Sequence, residues 1–128
     1  MNRNVFLRYH LPAILYAVAI LAVSSIPNLK TPEIRFLARD KVAHFLEYAV
    51  FAFLAFRSLA HLGLGRRAGR VALLTLLLLA AFAVVDELLQ GLIPGRQADV
   101  RDCAADLAGG SLIVFILWLS RRDRTVGA

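Results

Sequence analysis

Four long apolar stretches run along the chain, and short polar segments separate them. Each stretch is close to the roughly 20 mostly apolar residues that a helix needs to cross the hydrocarbon of a bilayer. Proline and glycine interrupt the pattern at Pro27, at residues 63–65 and at Pro94, where helices are expected to stop. The pattern therefore predicts an all-α, four-helix transmembrane bundle that forms a single domain over residues 1–128. The predicted spans are about residues 11–26, 42–62, 71–93 and 102–120.

Composition supports a membrane protein and argues against a nucleic-acid-binding one. The chain is 59% hydrophobic, whereas soluble domains are nearer half apolar. The formal net charge is +6, but the arginines flank the apolar stretches and form no basic stripe with interleaved aromatic residues, so no nucleic-acid partner is expected. Cys103 is the single cysteine, which excludes a disulfide or a paired-cysteine metal site within one chain.

The distribution of basic residues predicts the orientation of the bundle. Nine lie in the amino terminus, the middle loop with its flank and the carboxyl tail, namely Arg3, Arg8, Arg57, Arg66, Arg67, Arg70, Arg121, Arg122 and Arg124. Six lie on the opposite side, mixed with eight acids, namely Lys30, Arg35, Arg39, Lys41, Arg96 and Arg101. Because cytoplasmic segments carry the excess of Lys and Arg, both termini are predicted to be cytoplasmic.

The first span has a second interpretation. Arg3 and Arg8 followed by an apolar run also resemble the charged and hydrophobic regions of a signal peptide, with small residues nearby for cleavage. A retained membrane anchor explains the three later spans equally well, and it is the interpretation that we favour.

Two acids inside the third span call for a partner. Asp86 and Glu87 interrupt an otherwise apolar run, and at 1.5 Å per residue they lie about 10 Å from the helix end at Pro94. A charge at the centre of a membrane helix costs roughly 2.5–3.5 kcal/mol, so these acids must face the bundle interior, water or a cation. His44 and Arg96 are the expected cationic partners.

Other polar side chains are predicted to gather at the same, extracytoplasmic end. Asp40, His44 and Glu47 share one face of the second helix, with Tyr48 one turn above His44. Simple solvation of helix ends, or capping of the fourth helix by an aspartate, is the alternative for the residues nearest the surface. The remaining members of the set are Ser24, Ser25, Gln90, Asp99, Asp102 and Asp106.

The blocks "DKVAHFLEYAVFAFL" and "DELLQGLIPGRQADVRDCAADLAGG" closely resemble the VanZ-like family of small bacterial membrane proteins. The family takes its name from a protein associated with low-level resistance to the glycopeptide teicoplanin. The resemblance implies a multi-pass protein of the bacterial plasma (inner) membrane that acts towards the cell envelope and affects glycopeptides or lipid-linked wall precursors. Asp106 stands where many relatives have Asn. The matching positions are Ser24, Ser25, Pro27, Asp40, Lys41, His44, Phe45, Tyr48, Glu87, Gln90, Gly95, Arg96, Asp102, Asp106 and Gly109.

One hypothesis is an enzyme that hydrolyses or transfers at an ester or phosphoester of a membrane lipid or lipid-linked envelope precursor. Carboxyl groups that share a desolvated pocket cannot all ionise, which places an acid beside a base. His44 would move the proton, with Asp40 orienting its ring, and Arg96 suits a phosphate or carboxylate. The candidate catalytic residues are Asp40, His44, Glu87 and Asp102. The candidate substrate-binding residues are Arg96, Gln90, Tyr48, Asp106, Lys41 and Ser25.

A divalent cation would suit one histidine among several carboxylates, with Mg²⁺ or Mn²⁺ favoured over Zn²⁺ by the oxygen-rich set. No HxxxH or HExxH spacing fixes a ligand pair, so the metal requirement stays open. The second hypothesis is a non-enzymatic scaffold or lipid- or partner-binding protein whose buried ion pairs lock the helices together. An ion-coupled carrier is a third, and it would require the four spans to form a homo-oligomer.

Overall fold

A computed structural model describes residues 3–27, 37–62 and 68–126. The described residues form four long helices, which confirms the predicted all-helical architecture of four helices. Each helix is long and apolar enough to cross a membrane. Lys30, Arg35, Arg66 and Arg67, which contribute to the predicted orientation, lie outside the described residues. The helices are α1 (Arg3–Ser24), α2 (Leu37–Ala60), α3 (Ala68–Gly91) and α4 (Val100–Val126).

The four helices run alternately up and down. Ser24 at the end of α1 meets Gln90 at the end of α3, and Lys41 near the start of α2 meets Asp102 near the start of α4. At the opposite end, His10 hydrogen-bonds Ser58 across α1 and α2. We call the end where α1 and α3 finish and α2 and α4 begin the polar end. This topology gathers the predicted site residues from all four helices at one end.

The bundle is organised around α2, whose most extensive contacts are with α4. Buried residues recur on α2 at helical spacing, and they comprise three aromatic residues and two alanines. Large apolar side chains on the outer faces are exposed, as expected for helices whose surroundings are lipid hydrocarbon. The buried hydrophobic residues of α2 are Tyr48, Phe51, Ala52, Ala55 and Phe56.

The backbones of α2 and α4 touch at Gly109. A Cβ atom at this position would overlap the carbonyl oxygen of Phe45, which is main-chain and cannot move aside as a side chain can. The next residue, Gly110, would instead bring a Cβ within 2.7 Å of the Leu79 Cδ1 atom, at the end of a flexible side chain. Gly109 therefore sets how closely α2 and α4 pack, in the way that small residues allow membrane helices to approach.

Local chemistry explains where the helices change or stop. Pro12 has no N–H for the carbonyl of Arg8, and the chain just before it widens into a π-helical segment in which the N–H of Leu11 reaches the carbonyl of Phe6. After α3, Gly95 adopts a φ of 80°, a left-handed conformation that L side chains rarely take. That turn reverses the chain between α3 and α4 and brings Arg96 back towards the end of α3.

Gly109→Ala should destabilise the bundle, because the added methyl group overlaps the Phe45 main chain. We expect a cost of about 1–3 kcal/mol, the usual range for overpacking, visible as a melting temperature several degrees lower in detergent by circular dichroism. Gly69→Ala is the matched control, since its nearest neighbour would be the Trp118 side chain at 3.9 Å. Equal melting temperatures for the two variants would contradict the close approach.

Candidate functional site

His44 and Asp106 form the innermost polar contact of the site. The His44 Nδ1 and Asp106 Oδ1 atoms lie 3.0 Å apart, His44 is 8% exposed and Asp106 is fully buried. A carboxylate oxygen accepts, so Nδ1 is the donor in this contact. The expectation that Asp40 orients the ring was wrong in this respect, because Asp106 makes the hydrogen bond. The reason is the contact one turn away, where Gly109 lets α4 come directly against α2.

Lys41 forms ion pairs with two aspartates, so its ammonium group is not free to bind a ligand. Its ammonium lies 2.5 Å from Asp102 Oδ1 and 3.3 Å from Asp99 Oδ2. The other oxygen of Asp102, Oδ2, is 3.9 Å from His44 Nε2, which is too far for a hydrogen bond. Asp102 therefore lies between Lys41 and His44, and it joins the start of α4 to the start of α2.

Asp99 caps α4 and also joins it to α3. Its Oδ1 accepts the backbone N–H of Arg101 at 2.8 Å, the role that the sequence suggested for an aspartate at this helix start. That hydrogen bond, together with the Lys41 ammonium, lowers the pKa of the Asp99 carboxyl group below its ordinary value. The backbone N–H of Asp99 donates to Glu87 Oε2 at 2.7 Å, a contact that no side-chain pattern in the sequence could reveal.

Gln90 connects the deeper acids to the turn after α3. Its amide nitrogen lies 3.3 Å from Asp86 Oδ2 and 3.4 Å from the Ser24 hydroxyl oxygen, and its carbonyl oxygen accepts from Arg96 Nη2 at 2.8 Å. Asp86 and Glu87 thus have amide and backbone donors for partners. The prediction that His44 or Arg96 would pair with them was wrong, because His44 is bonded to Asp106 and Arg96 to Gln90.

The predicted site residues come together, with one exception. Buried members lie beneath a partly exposed rim formed by Asp40, Lys41 and Arg96. Ser25 is exposed and donates to its own helix at Leu21, whereas the neighbouring Ser24 is buried and contacts Gln90. A chain of contacts runs from Glu87 through Asp99, Lys41 and Asp102 to His44. The buried members are His44, Tyr48, Glu87, Gln90, Asp102 and Asp106, together with Asp86.

Several buried polar atoms at this end have no hydrogen-bond partner among the described residues. They come from three helices and the turn after α3, and they include acceptors, a hydroxyl group and a guanidinium nitrogen. Burying such groups without a partner is costly, so the packing of the helices leaves part of their hydrogen-bonding capacity unmet. The atoms are Tyr48 Oη, Asp86 Oδ1, Glu87 Oε1, Arg96 Nη1 and Asp106 Oδ2.

Asp40, His44 and Asp102 each offer one ligand atom, and these three atoms lie within 4.8 Å of one another. Oxygen and imidazole nitrogen are ligands for several divalent metals. The group extends from Asp40 at the rim to the buried His44 and Asp102, where α2 and α4 begin.

A separate apolar groove of about 500 Å³ lies between α3 and α4, away from the polar end. It contains none of the predicted site residues, so it is not the predicted polar pocket. Its lining suits lipid hydrocarbon rather than a polar headgroup. The lining residues are Gly69, Ala72, Leu73, Leu76, Ser111, Val114, Phe115 and Trp118.

Comparison with known proteins identifies the family. A family model described as VanZ/LLP1 matches residues 5–121, which is nearly the whole chain and includes every residue of the polar end described above. No curated protein and no solved structure matches the chain. The four apolar helices and this match together support a multi-pass membrane protein. The chain belongs to the VanZ-like family.

Proposed function

We propose that the chain binds the polar headgroup of a lipid-linked or amphiphilic envelope compound at its polar end, on the extracytoplasmic side of the bacterial plasma membrane. Through that compound it would influence susceptibility to glycopeptides such as teicoplanin. Family membership supports a role at the envelope. The basic residues support the orientation, since the polar end is the end predicted to face away from the cytoplasm.

The observation that carries this proposal is the set of unpartnered buried atoms. A purely structural network of ion pairs would use its polar atoms to join the helices to one another. Here Tyr48 Oη, Asp86 Oδ1 and Asp106 Oδ2 remain without partners among the described residues although their side chains are almost completely buried. A bound headgroup, with its hydroxyl groups and accompanying water, supplies the missing hydrogen bonds.

Arg96 is the best-placed residue to recognise an anion. One guanidinium nitrogen is fixed by Gln90, and the other, Nη1, has no hydrogen-bond partner among the described residues. The left-handed turn at Gly95 holds the side chain at the rim. A planar guanidinium with one nitrogen anchored is prepared to bind a phosphate or carboxylate oxygen.

The site also carries groups that can transfer protons. Glu87 is fixed through Oε2 by the Asp99 N–H, which leaves Oε1 open towards the interior. His44 presents Nε2 while Asp106 holds Nδ1. Positioned groups of this kind can transfer protons, as hydrolysis or transfer at an ester or phosphoester requires.

Arg96→Ala should weaken headgroup binding by roughly 10-fold or more, because a hydrogen bond between charged groups contributes about 1.5–3 kcal/mol. Native mass spectrometry or titration of the purified protein with a polyprenyl phosphate measures the affinity. Arg101→Ala is the matched control, since Arg101 is an exposed arginine at the same end. We expect it to bind as the wild type does.

Teicoplanin susceptibility of expressing cells gives the second measurement with the same pair. Wild type and Arg101→Ala should change susceptibility equally, and Arg96→Ala should lose the change at an unchanged expression level. A wild-type protein that binds no lipid phosphate and shifts no susceptibility, while Arg96→Ala melts several degrees lower, would favour the structural scaffold instead.

The orientation predicts which positions an impermeant reagent reaches. In a Cys103→Ser background, Gln97→Cys lies in the turn after α3, and Ala128→Cys lies in the carboxyl tail. A membrane-impermeant maleimide should label position 97 in intact spheroplasts and position 128 only after lysis. The reverse pattern would place the polar end in the cytoplasm and refute this part of the proposal.

A further inference from the structure

We propose that Asp40, His44 and Asp102 bind a divalent transition-metal cation at the rim of the polar end. Their three ligand atoms lie within 4.8 Å of one another, and the His44 Nε2 and Asp102 Oδ2 atoms are 3.9 Å apart. That separation is too long for a hydrogen bond, and it is within about 0.5 Å of the roughly 3.4 Å between two ligands of a tetrahedral ion with bonds near 2 Å, so a small side-chain movement brings both atoms onto one ion. The inference deepens the proposed headgroup-binding function and rests on it for its biological role.

The histidine is already oriented as metal-binding histidines are. Asp106 accepts the Nδ1 proton at 3.0 Å, and the other ring nitrogen, Nε2, lies on the side of Asp102. In the neutral ring, Nε2 is the nitrogen that offers a lone pair to an ion. Ligating histidines almost always donate their second ring N–H to a carboxylate or carbonyl, which fixes the tautomer and strengthens the ligand. His44 is 8% exposed, and Nε2 makes no hydrogen bond to any of the described residues.

Asp102 offers its free oxygen in the same direction. Its Oδ1 is held by the Lys41 ammonium, and its Oδ2 is the oxygen nearest His44. Asp102 is itself buried, so its geometry is fixed by the packing of α4 against α2. Asp40 is partly exposed at the outer edge, where an ion can enter from water. The site therefore has two buried, positioned ligands and one accessible ligand.

Charge and donor type indicate what kind of ion fits. Among the residues whose side chains the structure describes, the acids at the polar end outnumber the permanent cations there, which are Lys41, Arg96 and Arg101. A divalent cation offsets part of that excess. One imidazole nitrogen with two carboxylate oxygens suits Zn²⁺ or Mn²⁺ better than Mg²⁺ or Ca²⁺, which prefer all-oxygen sites. Three protein ligands leave a coordination position for water or a substrate oxygen.

The site also divides the roles within the proposed chemistry. With His44 Nε2 on the ion, that nitrogen no longer moves a proton. Glu87 Oε1 then remains as the open proton acceptor, and Arg96 as the anion-binding group. A divalent charge at this site would also bind phosphate oxygens of the headgroup directly.

The test is metal binding to the purified protein, without any functional assay. After chelator treatment and removal of the affinity tag, titration with Zn²⁺ and elemental analysis should give about one ion per chain. His44→Ala should abolish this binding, and His61→Ala is the matched control, because His61 is an exposed histidine at the other end of the bundle. Asp106→Asn should weaken binding about 10- to 100-fold while preserving the stoichiometry, as expected for a residue that positions a ligand.

Asp40→Asn is a second variant, chosen because it should fold as the wild type does. Asp40 lies at the rim and makes no hydrogen bond to the described residues, so weaker metal binding by this variant could not be explained by misfolding. It should melt with the wild type and still bind Zn²⁺ at least about 10-fold more weakly. The absence of stoichiometric Zn²⁺ or Mn²⁺ binding, or equal binding by His44→Ala and His61→Ala, overturns the metal site. Polyprenyl phosphate binding that persists in chelator leaves the proposed headgroup function standing without the ion.

Discussion

The contact between the backbones of α2 and α4 is the constraint on which the rest of the structure depends. Gly109 permits it, because any side chain at that position would overlap the carbonyl of Phe45. Phe45 follows His44 directly, and Asp106 lies one turn before Gly109, so the same contact brings the His44 ring and the Asp106 carboxylate within 3.0 Å. A packing requirement between two main chains thus determines the geometry of a buried polar pair.

The other polar contacts extend outward from that pair towards the surface. Lys41 and Asp102 join the same two helices nearer their starts, and the cap of α4 at Asp99 reaches across to Glu87 on α3. Each of these contacts gives a hydrogen-bond donor or an opposite charge to a polar group whose burial inside a membrane would otherwise cost free energy. The network does not satisfy every atom that it buries. The atoms left over face the interior of the polar end, and the headgroup that we propose would supply partners for them.

The amino-acid sequence is sufficient to predict the number of helices and the end at which the polar residues gather. Hydropathy gives the length of each apolar segment, and the short connections mean that successive helices run in opposite directions. These two features are enough to assign Asp40, His44 and Asp102 to the same end of the bundle. Partner choice is harder to predict. It depends on the rotation of each helix about its axis. Most of α3 is apolar on every side, so only Asp86, Glu87 and Gln90 near its end indicate which face turns inward, and they do not identify the partner of each group.

Particular residues show that limit. Lys41 is expected from the sequence to contact a ligand and instead pairs with Asp99 and Asp102. Arg96 is expected to neutralise an acid and instead holds Gln90, because the turn at Gly95 directs it there. Ser24 and Ser25 are adjacent in sequence, and only the rotation of α1 decides that Ser24 is the buried one. Gly109 stands among the matching positions of the family, but its contact with Phe45 cannot be inferred from a one-dimensional pattern.

The most direct test of the account is a solid-state NMR distance between the labelled His44 ring and the carboxyl carbon of Asp106, in protein reconstituted into lipid bilayers. A hydrogen bond of the observed length predicts a separation of about 4 Å between Nδ1 and the carboxyl carbon. The same measurement on Asp106→Asn confirms the assignment by removing the carboxyl signal. A separation beyond about 6 Å would show that the two groups do not share one interior, contradicting the claim that α2 and α4 build the polar site together.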